Sequence, residues 1–500
     1  MRGAVSRASR PAPRAWCTAR LGLVIVTVLV VAAGGAAASP RADPVSFLSV
    51  NSVAVLEGNS GTVALDFTIS LAPAASHPVT VTFNTADGIA TAPGDYDGIS
   101  QLVSFAAGET TKTVQVTGHG DTSPEQHEYF VAYISDPNGA VNYRDVGWAT
   151  LINDDVVGSA PVIRTVAGSG TEGCCGDDYM ALGARWYGVD GVAVDSVGHV
   201  FLASEDLCAV TRVTLGGTIV RVAGIRESRP CGYNLEGIPA VTARLTGPSA
   251  VALGPGGVLY IADTNNHRIR RIGLDGIISV YAGNGASGDS GDEGPATSAS
   301  ISFPEGIAFD GAGNLYIADS GNNRIRRVTT DGKIHALAGT GEQGFDGDGG
   351  QAISAQLNLP ETVLPAPNGV VYVSDTGNDR IRRIDANGVI TTVAGTGVDG
   401  FSGDGGPATS ARLSYPRSIA LSPAGMLFIG DALNNAVRKV DANGVITTVV
   451  GQGGVVGFAG DGGPPSQARL RAPTAIAFDD VGRLYISDSG NVRLREVTGL

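Results

Sequence analysis

The 500-residue chain is poor in several residue types at once. It has five cysteines, three tryptophans, three methionines and three lysines (Lys112, Lys333 and Lys439). Aromatic residues make up 6% and charged residues 16%. So few charges exclude a coiled coil and a disordered acidic segment, both of which need many more. Basic residues are scarcest beyond residue 38. Arg2, Arg7, Arg10, Arg14 and Arg20 all precede that point, and 29 basic residues then face 48 acidic ones. Such a surface repels phosphate backbones, which excludes nucleic acid as a partner and favours divalent cations or basic partners. Long apolar runs are also missing, with one exception: Leu21 to Ala33. What the chain has in abundance is glycine, 72 residues or about twice the usual share. With 43% apolar residues and few aromatics, this composition predicts an all-β protein with many tight turns.

The arginines, the apolar run and Ala36-Ala37-Ala38 before Ser39 form the three-part layout of a signal peptide over residues 1–38. The other reading is an uncleaved anchor, because Leu21 to Ala38 is just long enough to span a bilayer. Cys17 precedes the apolar run and so is not a lipoprotein cysteine. No C-terminal sorting tail is expected. The mature protein is expected outside the cytoplasm, secreted or at the cell surface, with membrane contact only through an uncleaved anchor. The four remaining cysteines, Cys174, Cys175, Cys208 and Cys231, are an even set in an exported chain and so are disulfide candidates. Three pairings are open, one of them vicinal. A zinc site is the rival, but the paired C-x-x-C spacing is absent.

Residues 45–155 alternate apolar and polar. Val63, Leu65, Phe67 and Ile69 share a strand face, as do Val79, Val81 and Phe83. Other strands are predicted at 46–56, 101–105, 112–117, 128–134 and 146–152, seven in all, which suggests an immunoglobulin-like β-sandwich. In an up-and-down order the first, third, fifth and seventh strands end at one pole. Glu57 follows the first; Asp87, Asp95 and Asp97 the third; Asp121, Glu125 and Glu128 the fifth; Asp154 and Asp155 the seventh. Carboxylates gathered from four flexible loops suit Ca²⁺, which takes six to eight oxygen ligands.

The segment resembles the Calx-beta domain, a calcium-sensing module of sodium–calcium exchangers and many bacterial surface proteins. The resemblance rests on Val55-Leu56-Glu57-Gly58, Thr85-Ala86-Asp87-Gly88-Ile89-Ala90, Gly94-Asp95-Tyr96, Phe105 to Thr110, Asp121 to Phe130 and Ile152 to Asp155. It implies ligand roles for Glu57, Asp95, Asp121, Glu125, Glu128, Asp154 and Asp155. Gly120 stands where the family often has a second Asp, and Asn153 precedes only two. With fewer carboxylates, the site is expected to fill at extracellular calcium levels.

Residues 160–500 repeat one motif. Leu259-Tyr-Ile-Ala-Asp263 recurs as Leu315-Tyr-Ile-Ala-Asp319. Equivalent aspartates follow at Asp375, Asp431 and Asp488, spaced 56, 56, 56 and 57 residues apart. A degraded copy, Val200 to Ser204, makes six units. Each reads as four strands, for example 361–365, 370–374, 380–385 and 389–394, and four-stranded units in radial array make a β-propeller. The last copy has only three strands, and the stray strand 162–167 is expected to complete it and close a six-bladed ring.

These copies resemble NHL repeats, found in extracellular and sensory proteins, exported bacterial ones among them, and in a few lyases. The matching stretches are Tyr-Ile-Ala-Asp, Asn-x-Arg-Ile-Arg and the loop Gly400 to Ala408. Asp263/Arg268, Asp319/Arg324, Asp375/Arg380, Asp431 and Asp488 recur in most copies and are read as blade-building parts that pair charges and satisfy turn amides. The Gly-Asp-Gly-Gly loops at Asp348, Asp404 and Asp461 lack the spaced carboxylates of a calcium loop. All four cysteines are expected on one face of the first blade, where the motif is lost.

No catalytic set stands out. His199, His267 and His335, the only propeller histidines, fall at separate places, so no zinc triad is expected. No G-x-S-x-G elbow occurs. The expectation is a calcium-binding, non-catalytic interaction protein whose propeller loop face meets a protein or glycan in adhesion, cell communication or sensing. The alternative is a metal-dependent propeller lyase or lactonase.

Overall fold

A computed structural model describes residues 46–500 apart from 52, 58, 59, 89, 121–127, 145, 153–159, 174–178, 197 and 226–230. It is all-β, with only short 3₁₀ turns as helix. Nine strands make the first unit: β1 (Phe47–Val50), β2 (Val53–Leu56), β3 (Gly61–Ala72), β4 (Val79–Ala86), β5 (Ser100–Phe105), β6 (Thr111–Gly120), β7 (Glu128–Asn138), β8 (Val141–Arg144) and β9 (Val146–Ile152). They form two sheets, β6-β3-β1-β8 and β2-β9-β7-β4-β5. Leu65, Phe67 and Ile69 are buried while Ala64 and Asp66 are exposed, the alternation that puts one sheet face in a core. Phe67 packs on Phe83 at 5.3 Å, and Tyr96 stacks on Phe130 at 3.8 Å.

Two strands depart from the expected seven. Residues 46–56 are two strands in different sheets. Asn51 accounts for the break: its Oδ1 accepts the Thr68 amide at 2.7 Å and takes the place of the backbone in the ladder. The second addition is β8, which pairs parallel with β1.

The rest of the chain holds six four-stranded units, two of them widened by a two-residue strand. The unit around Asp263 has strands Pro248–Leu253, Leu259–Asp263, Arg268–Ile272 and Ile277–Ala282. The last unit takes three strands from its own sequence. Its fourth is β10 (Val162–Ala167), which pairs antiparallel with Arg493–Thr498. Strands beginning at Gly191, Pro248, Pro304, Pro360, Pro416 and Pro473 together line one cavity. The first and last units also touch there. Thr474 Oγ1 and Ser487 Oγ both donate to the Val189 carbonyl. An apolar cluster fills each gap between neighbouring units, as with Ala203, Val210 and Ala223 of the first against Leu245 and Ile261 of the second.

Candidate functional site

The sandwich pole is set by strand register. β2 runs parallel to β9 with Leu56 opposite Ile152, and β9 runs antiparallel to β7 with Leu151 opposite Glu128. Glu57, Glu128 and Ile152 therefore stand at the ends of three adjacent strands at one end of one sheet. β4 ends there too, with Ala86 opposite Val131, and in the other sheet Gly61 pairs with Gly120. The ends of β2, β4, β6 and β9 thus share a pole. Glu57 is buried and Glu128 half-buried. Asp121, Glu125, Asp154 and Asp155 lie outside the described residues.

Two of the sequence-predicted ligands shape the loop between β4 and β5. Asp87 Oδ1 accepts the Ala92 amide at 2.9 Å and the Tyr96 hydroxyl at 2.7 Å. The Ala92 amide, then the Tyr96 hydroxyl, hold its carboxyl below the ordinary range. Asp95 Oδ2 accepts the Thr91 amide at 2.7 Å and the Thr91 hydroxyl at 3.2 Å. Asp97 meets His119 at 3.1 Å. Hard carboxylate oxygens on loops of this kind are the donor set Ca²⁺ prefers. Among the described residues, no group of three or more acids, histidines and cysteines is assembled for a metal.

In the repeats, the recurring aspartates are fully buried, and the structure corrects their pairing. Asp263 does not bond to Arg268. Its Oδ1 accepts the Thr246 amide at 2.8 Å, and its Oδ2 meets Arg270 at 3.1 Å. Asp319, Asp375, Asp431 and Asp488 pair likewise with Arg326, Arg382, Arg438 and Arg495, all fully buried. Arg268, Arg324 and Arg380 instead donate to loop carbonyls, Arg380 to Gly395 and Thr396. Pairing with the buried aspartate therefore belongs to the second arginine of Asn-x-Arg-Ile-Arg, while Arg324 also meets Asp289 of the preceding loop at 2.8 Å. Burial pushes the carboxyls of Asp263, Asp319 and Asp431 up to about 6.

The Gly-Asp-Gly-Gly loops close the same knot from outside. Asp348, Asp404 and Asp461 reach Arg382, Arg438 and Arg495 at 2.8, 2.6 and 2.6 Å, and Asp292 and Glu236 do so for Arg326 and Arg270. Loop aromatics cap these arginines, as with Phe345 over Arg380 and Arg382 and Phe458 over Arg493 and Arg495.

Neighbouring units are latched through residues held at positive φ. Asn323 Oδ1 accepts the Leu359 amide, Asp379 Oδ1 the Tyr415 amide and Asn435 Oδ1 the Ala472 amide, at 2.8 to 3.0 Å. In the first unit Cys208 holds the same backbone position, with φ 49°. It forms a disulfide with Cys231, whereas Cys174 and Cys175 lie outside the described residues. The propeller histidines have separate partners: His199 meets Asp195, His267 the Phe303 amide and His335 Glu293. No helix among the described residues is long and apolar enough to cross a membrane, and the Leu21–Ala38 run lies outside them.

Comparison with known proteins divides along the same line. A Calx-beta domain model matches residues 41–155. An NHL repeat model matches 245–272 and 302–328, and a teneurin NHL domain model matches 397–457. Mouse Teneurin-1 is 26% identical over 411 residues, which cover 73% of this chain but 14% of Teneurin-1. The chain thus spans about one-seventh of the length of its teneurin relatives. Two Bacteroides thetaiotaomicron structures share the fold across most of the chain. One is a protein of unknown function, with a TM-score of 0.51 and 16% identity, covering 92% of this chain and 99% of its own. The other is an auxiliary nutrient binding protein, with a TM-score of 0.50 and 15% identity, covering 91% and 98%.

Proposed function

For a chain that carries a Calx-beta domain followed by NHL repeats, we propose an exported, calcium-binding and non-catalytic interaction protein. The leader is residues 1–38, the calcium sandwich 45–155 and a closed six-bladed propeller 160–500. The sandwich holds Ca²⁺ with Glu57, Asp95, Asp121, Glu125, Glu128, Asp154 and Asp155. When bound, the ion neutralises the pole and ties its loops together. Asp87 orders the adjoining loop through Ala92 and Tyr96. The propeller presents its loop face to a protein or glycan in adhesion, cell communication or sensing. The likeness of the repeats to teneurins, and of the fold to an auxiliary nutrient binding protein, supports a place at the cell surface.

The observation that carries this reading is the register that brings Leu56, Ile152 and Glu128 to one sheet end. Its test is thermal unfolding of the purified protein across a calcium titration, with Asp154→Ala/Asp155→Ala as control. A ligand that binds only the folded state raises the melting temperature. A rise that disappears in the double variant is expected. A rise that survives it moves the metal elsewhere, and no rise at millimolar calcium sinks the claim.

A further inference from the structure

Each repeat turns from its second to its third strand through one residue in left-handed backbone: Cys208, His267, Asn323, Asp379, Asn435 and Val492, with φ between 49° and 56°. Four of them reach across to the next unit and accept one backbone amide there. Asn323 takes the Leu359 amide, Asp379 the Tyr415 amide, Asn435 the Ala472 amide and His267 the Phe303 amide. The donors Phe303, Leu359, Tyr415 and Ala472 are also left-handed, with φ between 45° and 52°, so one corner is built four times. Three of these joints use an amide or carboxyl oxygen. The joint between the second and third units uses His267 Nδ1, at 3.2 Å.

That exchange changes what the joint can do. An amide oxygen accepts at any pH, and a carboxyl keeps a carbonyl oxygen when it is protonated. An imidazole nitrogen accepts only while it carries no proton. A backbone amide can only donate, so the contact requires the neutral ring, with its proton on Nε2. Protonation would set one donor against another. The ring is half-buried and meets Phe303 a second time, edge to face, with centroids 4.7 Å apart. Burial, then the charge of Arg268, hold it below the ordinary imidazole range. The other groups around it carry no charge: Gly283 lies against the His267 carbonyl, and Ser302 and Pro304 flank Phe303. Glu305, the next acid along that segment, lines the central cavity. Among the described residues, no carboxylate is paired with the ring.

We propose that His267 makes the joint between the second and third units a pH-sensitive latch, closed while the imidazole is neutral and released when it is protonated. Release frees the corner at Phe303, whose ring is 39% exposed, while the joints at Leu359, Tyr415 and Ala472 stay closed. A histidine held below its ordinary value, about 6.5, gives stability that is complete above that value and is lost as the pH falls through the folded one. The latch depends neither on calcium nor on a partner.

The test is amide hydrogen exchange of the full chain at pH 7.5 and pH 5, wild type against His267→Asn. Asparagine accepts left-handed backbone and supplies the oxygen already used at Asn323 and Asn435. Comparing the two proteins at one pH cancels the intrinsic exchange rate. At pH 7.5 the Phe303 amide should be equally protected in both. At pH 5 its protection should fall about tenfold in the wild type alone, with the Leu359 and Ala472 amides unchanged. Equal protection of Phe303 in the two proteins at pH 5, or an equal loss at Leu359, would overturn the proposal. Imidazole ¹⁵N spectra of the wild type give a second reading that needs no variant. The His267 ring should carry its proton on Nε2 at pH 7.5 and a proton on each nitrogen at pH 5. A proton on Nδ1 at pH 7.5, or a ring still neutral at pH 5, would overturn the latch as well.

Discussion

The buried Asp–Arg pairs show what a residue-level reading of the sequence captured and where it stopped. The recurrence of Asp263 and its counterparts marked a blade-building part. The partner was misassigned because Asn-x-Arg-Ile-Arg offers two arginines two residues apart on one strand face. The repeats themselves carried the missing signal. The copy with Asp431 has Ala436 at the first arginine position but keeps Arg438, and the degraded copy loses both the aspartate and the second arginine, at Ser204 and Thr211. Removing one member of a fully buried ion pair leaves an uncompensated charge and costs about 3–5 kcal/mol. Arg382→Ala should therefore lower stability by about that much in denaturant unfolding. Arg380→Ala removes hydrogen bonds to two carbonyls and should cost nearer 1 kcal/mol. Equal losses would overturn the assignment. The same burial sets a pH dependence. Carboxyls raised to about 6 in the folded state contribute stability that is complete below their unfolded value, near 4, and is lost as the pH rises through 6. The melting temperature should therefore fall between pH 5 and pH 7.5 in calcium-free buffer. A rise over that window would mean that these aspartates stay ionised throughout.

At the scale of elements, alternation placed the sandwich strands well. It missed the split of 46–56, because the break depends on one side chain, Asn51, replacing a backbone acceptor. Which strand ends share a pole was legible from strand direction alone, since parity fixes it. Which oxygens the loops spend internally was not legible, and Asp87 and Asp95 both spend some on Thr91, Ala92 and Tyr96. The cysteines stand between these cases. Parity placed Cys208 and Cys231 on one face of the first blade but left three pairings open. The structure joins these two across 23 residues, where the first blade lacks the buried ion pair of its neighbours. Closing a loop of that length stabilises by about 3 kcal/mol through the unfolded chain. Reductant should shift the denaturant midpoint of the wild-type protein by a corresponding amount. It should leave a Cys208→Ser/Cys231→Ser variant, already destabilised, where it was. A variant that still responded would place the sensitive bond elsewhere.

Across the whole molecule the fold depends on one strand far from its partners in sequence. The 56-residue spacing made the unit count readable, and the missing fourth strand of the last copy pointed to 162–167. The charge pattern around the cavity was hidden, because Asp190, Ser249, Glu305, Glu361, Arg417 and Thr474 differ from copy to copy. Only the structure shows that they line one cavity. β10 ties the ends through more than its ladder with Arg493–Thr498. Ile163 is fully buried in the last unit, and Arg164 bonds Glu496 at 3.1 Å, both largely out of solvent. Units in a radial array contact mainly their neighbours, so an open array would expose an unpaired edge and lose its end-to-end coupling. Replacing Val162–Ala167 by a Gly-Ser run of equal length should therefore remove the cooperative melting of the repeats, or drive their aggregation. The calcium-dependent transition of the sandwich should remain. The same replacement of 156–161 should change neither. If the repeats melted as before without β10, the ring would not depend on this strand, and closure would have to come from the contacts of Thr474 and Ser487 with Val189 alone.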